Sequence, residues 1–311
     1  MSDAVDLGRA ERILRAAGAP VRTQYPMAPL TSFRIGGPAA LFVEAESDAD
    51  LTAAAEAVRA SGIDWVVVGK GSNVLVSDRG FPGLVLRLGR GFRWTAREGT
   101  RLRAGGAMPL PALAGVALSH DLAGLEFGVA IPASLGGAVR MNAGAHGRSM
   151  QDALASVELF SLTDAARASL PASSAGFDYR RSTLPEGSLV VGAVLALSRG
   201  NRAAIRAEME SARAWRRATQ PLAEPNCGSV FKNPPDDHAA RLVEAAGAKG
   251  MAVGGASVST KHANFIVAGP GATAADVRAL IRAVRERVEA RFGVALQLEV
   301  QLVGDDDLES V

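Results

Sequence analysis

The apolar positions near the start of the chain follow the order strand, helix, strand. Residues 40–45 and 65–69 are short apolar segments that predict two strands, the second of them buried. Ser47 and Asp50 have the spacing of a capping box and start the helix between the strands, and Gly62 ends it. This part of the chain therefore predicts a βαβ unit. The apolar face of its helix is formed by Leu51, Ala54, Ala55 and Val58.

A glycine-rich loop, GKGSN at residues 69–73, follows the second strand. The segments VLVSD (74–78) and LVLRL (84–88) come next and predict two further strands. Phosphate-binding loops of the Walker and Rossmann types lead into a helix instead, so neither type is indicated. The loop either binds phosphate through backbone N–H groups in a turn, or is a tight hairpin-like turn without a ligand.

Residues 121–147 combine an apolar composition with many glycines. They follow a predicted helix at 110–120 and end in LGGAVRMNAGAHG, which predicts no regular element. Bare backbone of this kind permits the close approach of a large flat ligand or of its pyrophosphate. A surface loop is usually more polar, so we expect this segment to form the wall of a ligand site.

The pattern changes from strands to a long helix near residues 200–215. Apolar segments at 156–162 and 188–198 predict strands, and residues 202–216 predict a helix. We place a domain boundary in this region. The inward face of the helix is predicted to contain Ile205, Met209, Ala212 and Trp215.

The C-terminal third of the chain predicts a small α+β domain. One helix is expected at 237–246 and a strand at 264–269. A long helix starts at the capping box of Thr273 and Asp276 and ends at Gly293.

A last strand is expected at 294–303, with alternating apolar and polar positions. Glu299 lies on its polar face, together with Gln297 and Gln301. Such a face is usually solvated, so the pattern by itself indicates a surface position for Glu299.

Composition and charge argue against several classes of protein. The 311 residues are 48% hydrophobic and 21% charged, with a net charge of +2 and no basic stripe that would indicate nucleic-acid binding. No apolar run approaches the roughly 20 residues of a membrane span, and the first thirty residues lack the apolar region of a signal peptide, so a cytoplasmic protein is expected. A single cysteine excludes an internal disulfide, and the four histidines have no metal-ligand spacing. No metal site is expected.

The segment PNCGSVFKNPP, residues 225–235, places Cys227, Ser229, Lys232 and Asn233 between prolines. Proline fixes its own backbone angle and restricts the residue before it, so the segment is a loop or a strand edge. Catalytic side chains are often found on such segments, and ordinary polar turns have the same composition. Both interpretations remain open at this point.

Eight blocks together give the chain a family resemblance. In order they are TSFRIGGPA, GKGSNVLVSD, GLEF with IPASLGGAVRMNAGAHG, DYRRS, RRATQP, GSVFKNPP, GGASVSTKHANFIV and LEV, within about residues 30–304. This order resembles the UDP-N-acetylenolpyruvoylglucosamine reductase family, in its branch with the shorter second half. The chain departs from the family pattern at three positions. Ala130 and Ala133 stand where glycine is common, and Gln297 stands where the last strand often has a second acidic residue.

The resemblance implies an α+β fold with a vanillyl-alcohol-oxidase (PCMH) type FAD-binding domain of two lobes and a C-terminal substrate-binding domain. The expected boundaries are 1–88 and 89–205 for the two lobes and 206–311 for the substrate-binding domain. It also implies non-covalent FAD, NADPH as co-substrate and reduction of a UDP-sugar enolpyruvyl ether. A monomer without nucleic-acid or membrane partners is expected.

The resemblance also implies roles for individual residues. Arg180 is similar to the arginine that stabilises the developing negative charge, Ser229 to the proton donor, and Glu299 to the acid that holds the substrate carboxylate or supplies its proton. Cys227 is the alternative donor to Ser229. The cofactor-binding residues by the same resemblance are Gly69, Lys70, Gly71, Ser72, Asn73, Ile131, Gly136, Gly137, Asn142 and Gly144. The substrate-binding residues are Tyr179, Arg217, Gln220, Lys232, Asn233, Lys261 and Asn264.

Two other functions remain open. A flavin-dependent oxidase of a sugar or hydroxy acid has the same kind of fold, although no histidine for covalent flavin attachment is evident. A nucleotide-binding module without activity would keep GKGSN, but the presence of Arg180, Ser229 and Glu299 together argues against it.

Overall fold

A computed structural model describes residues 6–304 of the chain. Its helices are α1 (Leu7–Ala16), α2 (Asp48–Ser61), α3 (Leu110–Ser119), α4 (Leu135–Arg140), α5 (Arg202–Thr219), α6 (Ala239–Ala245) and α7 (Ala274–Phe292). Its strands are β1 (Val21–Pro26), β2 (Pro38–Ala45), β3 (Trp65–Val67), β4 (Val74–Val76), β5 (Phe81–Leu88), β6 (Thr95–Glu98), β7 (Arg101–Gly105), β8 (Leu122–Ala123), β9 (Gly144–Ala145), β10 (Arg148–Ser149), β11 (Leu154–Ser161), β12 (Ala166–Pro171), β13 (Ser188–Ala196), β14 (Ser198–Arg199), β15 (Ala252–Val253), β16 (Ala256–Val258), β17 (Ile266–Ala268) and β18 (Gln301–Val303).

The chain forms two compact units, each built from separate segments. Unit 1 comprises residues 6–23, Leu41–Lys70 and Gly83–Trp215. Unit 2 comprises Gln24–Ala40, Gly71–Pro82 and residues 216–304. The division at 88/89 and 205/206 into two lobes and a substrate domain stays a prediction.

The first part of unit 1 contains two helices and most of a four-stranded sheet, some of whose strand ends are assigned to unit 2. The strand order is β1-β2-β5-β3, with β3 parallel to β5, and α1 packs against α2. The predicted βαβ unit is confirmed in its elements: Ser47 and Asp50 form the capping box of α2, and Gly62 ends the helix with a left-handed φ of 63°. Gly62 is needed there because a side chain strains that conformation. A core around Leu51, Leu84 and Leu86 holds these elements together.

The second part of unit 1 is an antiparallel five-stranded sheet in the order β12-β11-β13-β7-β6. Its core side carries Leu102, Val157 and Leu195, which pack with residues of α3 and α4 in one buried cluster. The predicted helix at 110–120 and the strands at 156–162 and 188–198 are confirmed within two residues at each end. Strand β12 was not predicted.

Unit 2 is a smaller α+β body. Strand β18 pairs with β4 in parallel, and β15, β16 and β17 form a three-stranded antiparallel sheet. The Thr273/Asp276 capping box and the ending of α7 at Gly293 are as predicted. All five residues of its apolar stripe are buried: Val277, Leu280, Ile281, Val284 and Val288.

The structure corrects four details of the sequence analysis. The ring of Trp215 is 50% exposed, because it packs edge-on against His146 and not in the core with the other inward residues of α5. Strand β3 is only partly buried. The glycine-rich stretch contains a regular element after all, since Ser134 caps the short helix α4. The last strand is only Gln301–Val303, because residues 297–299 form backbone hydrogen bonds with the 230–232 segment instead.

No helix among residues 6–304 is long and apolar enough to cross a membrane.

Candidate active site

A cleft in unit 1 is lined by glycine backbone and by positively charged side chains. It contains about 640 Å³ of empty space, including the part open to solvent. Four of its lining residues are cationic and none is acidic, so an anionic ligand is favoured there. The cations are Lys70, Arg87, Arg93 and Arg140.

Glycines shape the walls of this cleft. A Cβ atom on Gly136 would lie 2.7 Å from the carbonyl oxygen of Val190, and one on Gly69 would collide with the hydroxyl of Ser134. The strands and the helix α4 therefore approach one another only because these positions lack side chains. The predicted ligand wall is thus a packed surface of backbone, and Gly137 lies on the same surface.

Arg140 is a half-buried cation on the cleft wall at the end of α4. Its guanidinium donates to the carbonyl oxygen of Leu184 at 2.9 Å, to that of Pro185 at 3.3 Å and to both oxygens of Ser188. No carboxylate of residues 6–304 forms an ion pair with it, and burial lowers the pKa of the Arg140 side chain. Because the oxygens that accept from Arg140 are neutral and leave its positive charge uncompensated, this half-buried cation favours an anionic ligand in the cleft.

Arg180 lies in a tight turn of unit 1. Asp178 and Arg181 exchange two backbone hydrogen bonds and leave Tyr179 and Arg180 at the tip. Arg180 has a φ of 54°, which costs free energy for a residue with a side chain. Its guanidinium donates to the carbonyl oxygen of Gly144 at 3.0 Å and lies 5.1 Å from the centre of the Tyr179 ring. Strain of this kind is typical of functional sites.

Asn142 is buried beside this turn. Its Nδ2 donates to the carbonyl oxygen of Asp178 at 2.9 Å and to the side chain of Gln151 at 3.3 Å, and its Oδ1 accepts from the Gln151 N–H at 3.0 Å. Both N–H bonds of the amide are therefore engaged within the protein. The predicted role of Asn142 in cofactor binding stays a prediction.

Ser229 and Glu299 come together in unit 2. The backbone N–H of Glu299 donates to the carbonyl oxygen of Val230, the neighbour of Ser229, at 2.8 Å, and Phe231 forms a β-bridge with Leu298. The side chain of Asn73 donates to the carbonyl oxygen of Glu299 at 3.0 Å. Ser229 is half-buried, and its hydroxyl makes no hydrogen bond to any of residues 6–304. The structure thus brings one end of GKGSN to the segments of two candidate catalytic residues.

Cys227 is a different kind of neighbour. Its side chain is 2% exposed and belongs to the core of unit 2. Burial, and to a lesser degree the negative charge of Glu299, raise the pKa of the Cys227 thiol. A raised pKa makes the thiol a weaker acid, and its position in the core gives Cys227 the character of a packing residue.

Several candidate substrate-binding residues of unit 2 make structural hydrogen bonds. The Nζ of Lys261 donates to the carbonyl oxygen of Arg217 at 2.6 Å, so these two residues lie side by side. Asn233 accepts from the N–H of Ala239 at 3.1 Å and thereby caps the start of α6. Gln220 accepts from Arg216 at 2.8 Å.

Asn264 is a buried residue that is bonded to Phe231 in both directions. Its Nδ2 donates to the carbonyl oxygen of Phe231 at 2.8 Å, and its Oδ1 accepts from the Phe231 N–H at 2.9 Å. The backbone oxygen of Asn264 also accepts from the Val230 N–H at 2.9 Å. The side-chain amide thus makes the pair of hydrogen bonds that a neighbouring strand would make, and it fixes the segment that carries Ser229.

The candidate residues divide between the two units. The cleft of unit 1 is lined by Gly69, Lys70, Gly136 and Gly137, whereas Ile131 packs against the neighbouring core. Unit 1 also contains Asn142, Gly144, Tyr179 and Arg180, and unit 2 contains Gly71, Ser72, Asn73, Ser229, Glu299 and the other candidate substrate-binding residues, Lys232 among them.

Sequence reasoning missed several residues of the cleft. Ser134, Arg87, Arg93 and Arg140 line it, and none of them was singled out. For Arg140 a signal existed, since it lies inside the glycine-rich block between Gly137 and Asn142. Arg87 and Arg93 gave no signal, because thirty arginines are spread along the chain.

Among residues 6–304, no group of three or more His, Cys, Asp or Glu side chains could hold a metal ion.

Comparison with known proteins gives two family matches. Residues 39–164 match the family of FAD binding domains, and residues 220–303 match the C-terminal domain of UDP-N-acetylenolpyruvoylglucosamine reductase. A UDP-N-acetylenolpyruvoylglucosamine reductase of Heliobacterium modesticaldum is 49% identical over 91% of this chain and 90% of its own.

Solved structures give a similar result. The chain resembles UDP-N-acetylenolpyruvylglucosamine reductase from Thermus caldophilus with a TM-score of 0.79 and 35% identity, over 92% of this chain and 98% of the other. A variant of berberine bridge enzyme, a reticuline dehydrogenase, has a TM-score of 0.50 at 12% identity, over 62% of this chain and 44% of the other, and shows the fold alone.

Proposed function

This chain belongs to the UDP-N-acetylenolpyruvoylglucosamine reductase family, and we propose that Arg180, Ser229 and Glu299 are its catalytic residues. It is an FAD-containing oxidoreductase of peptidoglycan synthesis that reduces UDP-N-acetylenolpyruvoylglucosamine, and NADPH is the usual reductant of the family. The fold is a PCMH-type FAD-binding domain followed by the reductase C-terminal domain, as predicted. The observation that carries the proposal is the backbone contact between the Ser229 and Glu299 segments, with an unbonded hydroxyl on Ser229.

The cleft of unit 1 fits part of a flavin dinucleotide. Its four cations and the absence of acidic lining residues suit a pyrophosphate, and the close packing at Gly69 and Gly136 gives it a wall made partly of backbone. Lys70 and Arg140 would supply charge, and Gly136 and Gly137 would lie against the cofactor. When bound, FAD supplies the hydride-transfer chemistry of the reaction.

Arg180 stabilises the negative charge that develops when a hydride adds to the enolpyruvyl double bond. This charge spreads from the neighbouring carbon into the substrate carboxylate. A fixed guanidinium is suited to that task because its planar N–H groups match a carboxylate in two places. The bond from Arg180 to Gly144 and the strained turn hold the guanidinium in place before the substrate arrives.

Ser229 donates a proton to the carbanion formed next to the carboxylate. A serine hydroxyl is a weak acid, but a carbanion is a much stronger base than serine alkoxide, so the transfer is favourable. Glu299 orients the substrate carboxylate or supplies its proton. The hydroxyl of Ser229, which has no partner among residues 6–304, leaves its proton available for this step.

The remaining candidates bind the sugar nucleotide. Arg217, Lys232 and Lys261 would neutralise its diphosphate, with neutral hydrogen bonds from Gln220 and Asn233. Asn264 would contribute through the segment that it fixes, because its amide is already bonded to Phe231. The contact of Lys261 with the backbone of Arg217 supports a shared cationic site. Tyr179, which is 47% exposed, would contact the substrate beside Arg180.

The remaining features of the proposal concern the protein as a whole. We expect a cytoplasmic monomer without nucleic-acid or membrane partners, in three domains bounded at 88/89 and 205/206.

The experiment is to record the flavin spectrum of the purified protein under anaerobic conditions. NADPH should bleach the yellow colour, and the enolpyruvyl sugar nucleotide should restore it. Recovery by oxygen alone would instead indicate a flavin-dependent oxidase, and a colourless protein that cannot be loaded with FAD would indicate a nucleotide-binding module.

A further inference from the structure

The turn that carries Arg180 depends on contacts from outside itself. A left-handed conformation at the third position of such a turn suits glycine or asparagine, so an arginine there is stable only if its surroundings enforce it. Within the turn, Asp178 and Arg181 exchange two backbone hydrogen bonds, and the Asp178 carboxylate accepts from the Tyr179 N–H at 2.7 Å and pairs with Arg181 at 3.0 Å. None of these contacts fixes the Arg180 guanidinium itself, which bonds to the carbonyl oxygen of Gly144 outside the turn. Tyr179 and Asp178 are exposed.

The segment 140–144 restrains the turn through three hydrogen bonds. The Nδ2 of Asn142 donates to the carbonyl oxygen of Asp178 before the tip, at 2.9 Å. The carbonyl oxygen of Gly144 accepts from Arg180 at the tip, at 3.0 Å. The carbonyl oxygen of Arg140 accepts from the hydroxyl of Ser182 after the tip, at 2.7 Å. Of these three, only the Asn142 contact uses a side chain of the 140–144 segment.

Asn142 is itself rigidly held. It is 3% exposed, and Gln151 binds both ends of its amide. The buried amide therefore presents its second N–H to Asp178 in a fixed direction. Losing it would leave the carbonyl oxygen of Asp178 without this donor and would remove the restraint on the backbone just before the tip of the turn.

We propose that Asn142 is a positioning residue for the reduction of the enolpyruvyl substrate: its buried amide fixes the backbone at Asp178 and thereby the direction of the Arg180 guanidinium. This proposal rests on the proposed role of Arg180. It assigns the side chain of Asn142 to the second half of the reaction and not to the binding of FAD.

The main test uses Asn142→Asp, which preserves the size and the acceptor for the Gln151 N–H but lacks both N–H groups, the one for Asp178 and the one for the Gln151 side chain. Asn142→Ala is the second variant, and Asn201→Ala is the control, because Asn201 is an exposed asparagine that caps α5. Anaerobic stopped-flow absorbance measures two rates separately: flavin reduction by NADPH, and reoxidation by the enolpyruvyl sugar nucleotide. Fluorescence titration measures the dissociation constant of FAD.

For both Asn142 variants we expect the reoxidation rate to fall about 10²-fold, the loss typical of a displaced catalytic group. Flavin reduction and FAD affinity should change less than about twofold, and Asn201→Ala should leave all three quantities unchanged. A loss of FAD affinity, or an equal fall of both rates, would overturn the proposal. So would unchanged reoxidation in both variants.

A double-mutant cycle with Arg180→Ala separates this proposal from the proposed function. If Asn142 acts through Arg180, the double variant should reoxidise as slowly as Arg180→Ala alone. If the two fold reductions in reoxidation rate multiply in the double variant, Asn142 does not act by positioning Arg180, and the catalytic role of Arg180 is unaffected. If Arg180→Ala alone reoxidises at the normal rate, the proposed function of Arg180 is wrong. Circular dichroism at the assay temperature identifies any variant that is unfolded, and the conservative Asp variant then decides the test.

Discussion

Two buried asparagines, one in each unit, hold the segments that carry the candidate catalytic side chains, and they do so in different structural settings. Asn264 of unit 2 bonds to Phe231 beside Ser229, within a stretch that backbone hydrogen bonds to Glu299 also hold. Asn142 of unit 1 bonds to Asp178 beside Arg180, where the backbone is strained. In unit 2 the positive φ beside the candidate residue, 81°, falls on Gly228, which tolerates it, whereas in unit 1 Arg180 itself has a positive φ and is restrained by side-chain contacts.

The largest expected effect lies in unit 2. Ser229→Ala should reduce reoxidation by the enolpyruvyl substrate by about 10²–10⁴-fold, the range of a lost general acid, because no proton donor remains for the carbanion. Flavin reduction by NADPH should be unchanged in the same stopped-flow assay. Cys227→Ala is the matched control and should reoxidise at nearly the normal rate. An equal fall of both rates in Ser229→Ala would give Ser229 a structural role.

In unit 1, two replacements of Arg180 separate the catalytic role of its guanidinium from the backbone strain at this position. Arg180→Ala and Arg180→Gly should both reduce reoxidation about 10²–10³-fold, because both lack the guanidinium. The glycine variant should be more stable than the alanine variant by about 1 kcal/mol, since glycine adopts a positive φ without steric cost. Urea unfolding measures the difference. Equal stabilities would mean that the turn is not strained at residue 180.

Replacement of Asn264 tests whether this residue restrains the segment of unit 2 that carries Ser229. Asn264→Ala should lower the free energy of unfolding by about 2–4 kcal/mol, because the N–H and the carbonyl of Phe231 lose their partners in a buried place. Asn201→Ala, which removes an exposed helix cap, should cost only about 1 kcal/mol. If the two variants unfold alike, Asn264 is not the restraint that the geometry indicates.

The smallest expected effect is on stability at acidic pH, and it involves Asp276 in the capping box of α7. Hydrogen bonds from the backbone of Gly255, and then of Thr273, lower the pKa of Asp276 below its usual 3.8. A lowered folded-state pKa stabilises the protein above pH 3.8, and this contribution is lost as pH falls through the folded-state value. Wild type and Asp276→Asn should therefore differ more in urea unfolding at pH 5 than at pH 3. A difference that stays constant would exclude this titration.

Local patterns predicted the elements well, because their causes lie within a few residues. The capping boxes of Ser47 and Thr273 and the glycine ends of both helices depend on neighbours in sequence, and the structure confirms them. Ser134 could have been recognised in the same way, but the two glycines after it favoured an irregular segment, and packing against the neighbouring sheet overcame their low helix propensity.

The contacts of the candidate site could not be predicted from local pattern. Asn142 meets Asp178 across 36 positions, and Asn264 meets Phe231 across 33. The family resemblance identified Arg180 and Ser229 by their motifs, but neither a motif nor a helical period reports which backbone carbonyl a side chain will reach. Arg140 shows the same limit, since its partners Leu184 and Ser188 lie in another segment.

The parallel pairing of β4 with β18 joins parts of the chain that are more than two hundred residues apart. On the ribosome, where about 5–20 residues are added per second, Val74–Val76 emerge many seconds before their partner strand is made. During that interval an apolar strand has an unpaired edge, which is the kind of surface that other nascent chains and chaperones bind. Unit 2 is thus expected to complete its folding only at the end of synthesis, and truncations near Val303 should yield aggregated protein and not a shorter enzyme.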